Sequence, residues 1–499
     1  VTVAESSAPA LRGLVEPLNL AQPVQAFQID SENFPDDKFR AWLTDSYNID
    51  GAGADSMLTM DEIAGITSMH ICNEDISDLT GIGYFTSLKT LECYANNLKT
   101  LPALPESLTE LDCDDNELTS LPTLPESLTK LSCSHNKLTV LTALPEGLST
   151  LKCYFNELTK LDVSALSQLK KLDCSYNKLT SLPGLPSGLQ ELNCSFNGLA
   201  SLPGLPSGLQ ELDCSFNELT KLDVSTLSQL EKLDCTANEL TELKNLPEKL
   251  RVLRCYYNKL TSLPQFSENM EELGCAYNKL TSLDLRALSN LETLDCGGNP
   301  MKALSAAALP ASLETLRCRD NQLTSLDVSA LSALEELDCS FNQLTSLVKL
   351  PESLEELNCS SNQLTSLPGL PSGLQELSCS ANELTKLINL PEDVYRLDCG
   401  GNQLRSLDVS DLGKLTYLYC RLNQLDELVL ETSRHSSSYY AVDVSLNYMK
   451  TESDVTVPSG WNWDGDDFIF YPQRSESDLG PVVCGIPMTQ ANKDAITGE

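Results

Sequence analysis

One unit, L-x-x-L-x-C-x-x-N-x-L, recurs along most of this chain at a spacing of roughly 20–22 residues. Its cysteines run from Cys93, Cys113 and Cys133 to Cys399 and Cys420, seventeen in all, each three residues before an asparagine. An apolar residue, nearly always Leu, stands five and two positions before each cysteine, and another follows at plus five (Met301 once, otherwise Leu). Nothing else constrains the fold as tightly. A unit this short makes one strand and a return segment, and it buries its apolar face only against its neighbours. The chain must therefore stack into a single parallel solenoid, with about nineteen strands and no sizeable helix between Leu88 and Leu425. Such a fold offers a long, shallow recognition surface and no deep cleft.

The charge narrows the partners. At 499 residues and a formal net charge of −37, the chain lacks the concentrated Lys/Arg surface that phosphate recognition needs. No nucleic-acid partner is expected, an anionic membrane would repel the chain, and no apolar run is long enough to cross one. A monomer with no cofactor is predicted. The segment 1–26 lacks the basic start and long apolar core of a signal peptide, so either a leader has been removed or the sequence begins elsewhere.

A high cysteine count in an extracellular protein usually means disulfides. The ladder argues against them here. Equivalent positions on adjacent strands lie about 4.8 Å apart with side chains parallel, whereas a disulfide needs Cβ atoms about 3.8 Å apart and facing. The ladder cysteines are predicted to be buried thiols packing as small hydrophobes. Cys72 and Cys484 stand outside the ladder, and Cys72, one residue out of register, is expected to point outward.

The organisation follows from the repeats. Residues 1–27 carry no pattern and are expected to be poorly ordered; 28–65 form a helical N-terminal cap; 66–450 hold the repeats; 451–484 form a C-terminal cap rich in Trp and Phe; 485–499 are an open tail. In the N-terminal cap, Asp36 and Asp37 precede Phe39, Trp42 and Leu43 at helical spacing, and Met60–Ile63 suggests a second helix. Helix, polar loop and helix outline an EF-hand, but the stretch between Asp50 and Glu62 does not carry the ligand spacing of a calcium loop, so no metal is assigned. Return segments are of two kinds. LTSLPGLPSGL has prolines that favour extended backbone and forbid a helix. LTKLDVSALSQL is one residue longer, and its Asp162 and Ser164 can cap a single turn.

The recurring asparagine, from Asn96 to Asn423 and Asn447, is assigned to the scaffold, since an amide repeated in every unit satisfies backbone groups. Position eight of the unit, just before it, is more informative. Successive repeats place Phe155, Tyr176, Phe196, Phe216, Ala237, Tyr257 and Tyr277 there. Two readings stand: an exposed aromatic platform that binds a partner, or rings that stack on one another and stiffen the edge. Tyr154, Tyr256, Arg251 and Arg254 lie beside them, residue types favoured at interface hot spots. The predicted binding set is Phe155, Tyr176, Phe196, Phe216, Tyr257, Tyr277, Tyr154, Tyr256 and Arg254. Towards the C-terminus the same face turns acidic, with Glu335, Glu336, Asp338, Glu355, Glu356 and Glu376, either a solvated face or a dock for a basic partner. Only His70, His135 and His435 occur, at unrelated points, so no catalytic or zinc cluster can be assembled and no enzyme is predicted.

Units such as LKKLDCSYNKLTSL and LEKLDCTANELTEL resemble the cysteine-ladder leucine-rich-repeat surface proteins of Gram-positive bacteria, the internalin-like adhesins. NFPDDKFRAWL with MLTMDEIAGITSM resembles the N-terminal unit of secreted repeat proteins of gut Firmicutes, whose D-x-D-G-D-G-x-L loop is replaced here by NIDGAGADSML. The resemblance implies a leucine-rich-repeat solenoid, extracellular or cell-surface placement, and binding to a protein or glycan on a host or neighbouring cell. No LPxTG-type sorting signal is present, so an anchor is expected either beyond Glu499 or not at all. LPALPESLTEL and LPTLPESLTKL are also similar to type III-secreted effectors whose repeats precede a ubiquitin ligase domain, which gives an alternative reading as an effector scaffold. That family's C-x-D triplet is matched at Cys113–Asp115 and Cys318–Asp320, but both are ladder cysteines, so ligase activity is not expected.

Overall fold

The computed structural model describes residues 26–45, 54–430, 441–456, 468–470 and 473. Its residues group into two compact units, divided between Leu128 and Thr129.

The first unit begins with the cap. Strand Ala26–Gln28 pairs antiparallel with Met57–Thr59, and Phe27 stacks on Tyr84 at 4.2 Å. Helix α1, Asp37–Thr44, buries Phe39, Trp42 and Leu43. Helix α2, Met60–Gly65, starts on a capping box in which the Glu62 N–H donates to Thr59 Oγ1 (3.2 Å) and the Thr59 N–H to Glu62 Oε2 (2.7 Å). Asp36 joins cap to repeat. Its Oδ1 accepts from the N–H of Lys38 and Phe39 at 2.9 Å, and its Oδ2 from Ser77 N–H and Oγ at 2.8 Å and Asp78 N–H at 3.1 Å. Burial pushes its pKa up, but these donors outweigh it and hold the carboxyl below its ordinary value. The calcium-loop stretch falls largely on 46–53, outside the described residues. Behind the cap, strands Ser68–His70, Thr90–Glu92 and Glu110–Asp112 pair in parallel.

The second unit is the same motif repeated. From Lys130–Ser132 to Tyr417–Tyr419, three-residue strands pair in parallel with the middle Leu opposite Leu, as in Leu212 with Leu192 and Leu233. The sheet continues through Ala441–Asp443 to Phe468–Ile469, one strand into the segment assigned to the C-terminal cap. Each repeat turns its leucines and its cysteine inward; all seventeen ladder cysteines have no exposed surface. A fully buried Leu contributes roughly 1.5–3 kcal/mol, so the leucines, several to a repeat, supply most of the stacking energy.

The returns carry almost no helix. In LPGLPSGL segments the prolines keep the backbone extended until a single turn, as where the Leu209 N–H donates to the Pro206 carbonyl at 3.1 Å. In the longer returns Asp162 Oδ1 accepts from Ser164 N–H and Oγ, followed by two turns closed by Leu166 on Val163 and Leu169 on Leu166. Among the described residues between Leu88 and Leu425 the helical exception is one 3-10 turn, Ala306–Ala308. An extra parallel pair, Ala303–Ser305 with Ser325–Asp327, also forms on this side, and nothing in the proline pattern signalled it. Cys72 is half-buried beside the buried Ile71, with its thiol donating to the Glu92 carbonyl at 3.4 Å.

Candidate functional site

The site is built on the turn that ends each strand. In the repeat around Cys214, Asp213 Oδ1 accepts from the Ser215 N–H (3.0 Å) and hydroxyl (2.6 Å), bending the chain out of the strand. Asn217 then clamps the turn. Its amide donates to the carbonyls of Cys194 (3.0 Å), Cys214 (3.1 Å) and Ser215 (3.1 Å), and its Oδ1 accepts from the Leu199 N–H (3.0 Å). The same set recurs around Asn238, Asn258 and Asn278. The Asn clamp is common to these repeats, with or without the Asp bond, and the residue just before the Asn, position eight, takes the left-handed region: φ is 50° at Phe155 and Tyr176, 51° at Phe196 and Phe216, 52° at Ala237 and 49° at Tyr257.

That backbone costs a non-glycine residue roughly 1–2 kcal/mol. The rings offset it by stacking, each pair contributing about 0.5–1.5 kcal/mol. Phe155 lies on Tyr176 at 4.0 Å, Tyr176 on Phe196 at 3.9 Å and Phe196 on Phe216 at 4.0 Å, with planes within 12°. His135 extends this column by one ring, 4.4 Å from Phe155, a member that sequence reasoning missed although it too stands at position eight. Ala237 interrupts the column, and Tyr257 and Tyr277 form a second stack at 4.4 Å. The far face of Tyr277 is closed by Gly298, where any Cβ would lie 2.4 Å from the ring. Faces are thus consumed inside each stack and edges remain outside: Phe155 is 42 % exposed and Tyr176 37 %.

The other predicted residues are arranged differently. Tyr154 packs edge-on against His135 (5.1 Å) and Phe155 (6.2 Å), on the border of the column. Tyr256 instead lies across the strand face over Gly274 of the next repeat, where a Cβ would fall 2.1 Å from its Cζ. Burial, with Asp295 and Glu272 adding to it, pushes its phenol well above the ordinary value. Arg254 is engaged: its guanidinium donates to both Glu272 oxygens, at 2.7 and 3.2 Å. Arg251 grips Glu271 in the same way, at 2.8 and 2.7 Å. Lys171–Glu191 and Lys232–Glu211, each 2.7 Å, continue a mixed-charge strand face. This face forms a shallow trough of 560 Å³ between Thr150 and Glu272. Further on, Glu336 is held by Arg317, while burial, then Glu376 and Glu336, raise the pKa of Glu356.

None of this is reactive chemistry. Burial drives the ladder thiols upward, Cys255 and Cys359 to about 12, so thiolate is scarce at neutral pH. Cys318, one of the two triplet matches, is raised well above its ordinary value and Cys113 is buried. What the arrangement can do is present a rigid strip of ring edges beside a salt-bridged trough.

Comparison with known proteins places this scaffold. Leucine-rich-repeat profiles match residues 167–207, 311–352 and 353–374. No curated protein sequence matches the chain. Among solved structures, YopM from Yersinia enterocolitica is 29 % identical, with a TM-score of 0.69 over 87 % of this chain and 94 % of that one. The functional domain of InlJ from Listeria monocytogenes, which includes a cysteine ladder, is 28 % identical, with a TM-score of 0.50 over 85 % and 82 %. A leucine-rich-repeat protein of Leptospira interrogans is 25 % identical, with a TM-score of 0.51 over 65 % and 92 %. The fold is a leucine-rich-repeat solenoid. Its likeness to YopM and to a ladder-bearing internalin supports a bacterial repeat protein, a class whose members generally bind proteins.

Proposed function

We propose that this chain is an extracellular or surface-displayed bacterial adhesion module, which takes a protein segment along the ring column and the strand-face trough beside it. The observation that carries the reading is the column His135–Phe155–Tyr176–Phe196–Phe216, a preorganised apolar strip whose edges stay open to solvent. Locked rings lose little entropy on binding and bury large area, the property of interface hot spots. A protein fits better than a glycan, because sugars stack on ring faces and the faces within the column are turned to one another, the outer face of Phe216 excepted. Surface display rests on the resemblance to internalin-like proteins, in keeping with InlJ as a relative of similar fold.

The test is binding of the fluorescent protein to cultured epithelial cells, measured by flow cytometry. Changing Phe155 and Tyr176 together to Ser should abolish binding, and protease treatment of the cells should remove it where glycosidases do not. Undiminished binding by the double variant, with the fold intact by circular dichroism, would remove the column from the interface.

A further inference from the structure

The break in the column is a feature the reading above does not use. Position eight carries a ring on both sides of Ala237, whose backbone is the same left-handed turn (φ 52°) but whose side chain is a methyl group. The result is an open slot of 560 Å³ lined by Phe216, Asn217, Ala237, Asn238, Glu239 and Tyr257. Phe216 and Tyr257, 44 % and 55 % exposed, form its walls, each stacked on a ring on its other side only. With ring steps of 4.0 and 4.4 Å on either side, two steps place these faces about 8–9 Å apart. That is room for one flat ring, seated about 4–5 Å from each wall, an ordinary stacking distance.

We propose that this slot receives one aromatic side chain of a protein partner, with a Lys or Arg next to it in the partner's sequence. The proposal rests on the binding role of the column and names what its gap admits. The polar groups of the slot point away from a sugar. The Asn217 amide is committed to three carbonyls and the Leu199 N–H, and Asn238 to the carbonyls of Cys214, Cys235 and Thr236 and the Leu219 N–H. Glu239 is held by Lys259. A pyranose entering here would find two ring walls and no free amide for its hydroxyls, with acceptors confined to the Glu218 and Glu239 carboxylates, whereas a ring of Phe, Tyr or Trp needs no such partners. Charge selects the flanking residue. Glu218, next to the slot and exposed, has no ion pair among the described residues, whereas Lys259 is already spent on Glu239. The rim is therefore net negative, within a chain of charge −37, and it draws a basic neighbour towards Glu218.

The probe is the capped tripeptide Lys-Trp-Lys, titrated into full-length protein labelled at alanine methyls. The Ala237 methyl, lying between two ring faces, reports an inserted indole as a saturable upfield shift. Lys-Ala-Lys and maltotriose should give none. Ala237→Phe fills the slot with a residue that the same turn accepts at Phe196 and Phe216. It should raise the melting temperature and weaken the tripeptide, followed by saturation transfer to the indole protons, by about tenfold or more. Glu218→Gln should weaken it less and remove much of its salt dependence. A silent Ala237 methyl, an equal response to maltotriose, or unchanged tripeptide binding by Ala237→Phe would each overturn the slot. The two readings fail separately. A silent slot with cell binding still lost in the Phe155/Tyr176 variant sinks only the slot. An inserting tripeptide with that variant still adhering sinks only the column.

Discussion

Replacing Asn217 by Ala should expose how the polar ladder divides its work. The amide makes four hydrogen bonds, but their loss is unequal. Each carbonyl keeps a second donor: Cys194 retains the Asn197 amide at 3.2 Å, Cys214 the Asn238 amide at 3.0 Å, and Ser215 the Phe196 N–H at 3.0 Å. The Leu199 N–H, on a fully buried residue, loses its acceptor. An orphaned buried donor costs about 1–3 kcal/mol, and three weakened but still satisfied carbonyls add roughly 1 kcal/mol between them. The expected loss is about 2–4 kcal/mol in urea unfolding. Repeat stacks open locally, so native-state hydrogen exchange should show it first at Leu199 and the adjoining turn. Asn217→Asp is the discriminating control. It keeps the acceptor for Leu199 but turns a charge onto three carbonyl oxygens, so it should cost more than Ala despite its shape. A loss below about 0.5 kcal/mol for Ala, or an Asp variant milder than Ala, would refute this division of labour.

Two further outcomes follow from the structure. Alkylation of the native protein, read by mass spectrometry, should leave the seventeen ladder cysteines unlabelled and label Cys72 slowly, since burial raises its thiol too; extensive ladder labelling or disulfides between neighbours would show the stack is not dry. Asp36→Ala should destabilise the cap by about 0.5–2 kcal/mol at pH 7, as loss of a helix cap does. Because the folded carboxyl is depressed, its contribution is present above the unfolded value of about 3.9 and is lost as pH falls through the folded one. Melts of wild type and variant should converge in acid, and a gap independent of pH would mean the carboxylate charge is not what matters.

Much of this was legible in the residues. The Leu and Cys spacing dictates the stack, because only parallel in-register strands bury those positions together, and the asparagine had no plausible job but the backbone. The aromatic alternation at position eight was readable as a line of rings. That the rings face one another was one of two open readings, since spacing alone does not orient a side chain on a turn. The left-handed backbone had only a sparse glycine signal, Gly298 and Gly401 at the same position. Arg254 looked like a free cation because its partner, Glu272, sits one repeat away, beyond any local window. Tyr256 could have been placed from Gly274, the one glycine at the position before a ladder cysteine, which leaves a flat floor for the ring.

The left-handed turn has a consequence for how such a surface can diversify. From Ala95 to Leu446 the position holds Ala, Asp, His, Phe, Tyr, Gly, Ser and Leu, but never Val, Ile, Thr or Pro, whose branching or ring is incompatible with that backbone. The strip is thus written in a restricted alphabet, yet within it the letters can be exchanged wherever the neighbouring ring leaves room, as it does not at Gly298, since the contacts that hold the turn come from other residues. One codon change can open a gap, close one or set a charge in the line without disturbing the leucines behind it. A chain built this way can alter what it grips repeat by repeat while its core stays the same.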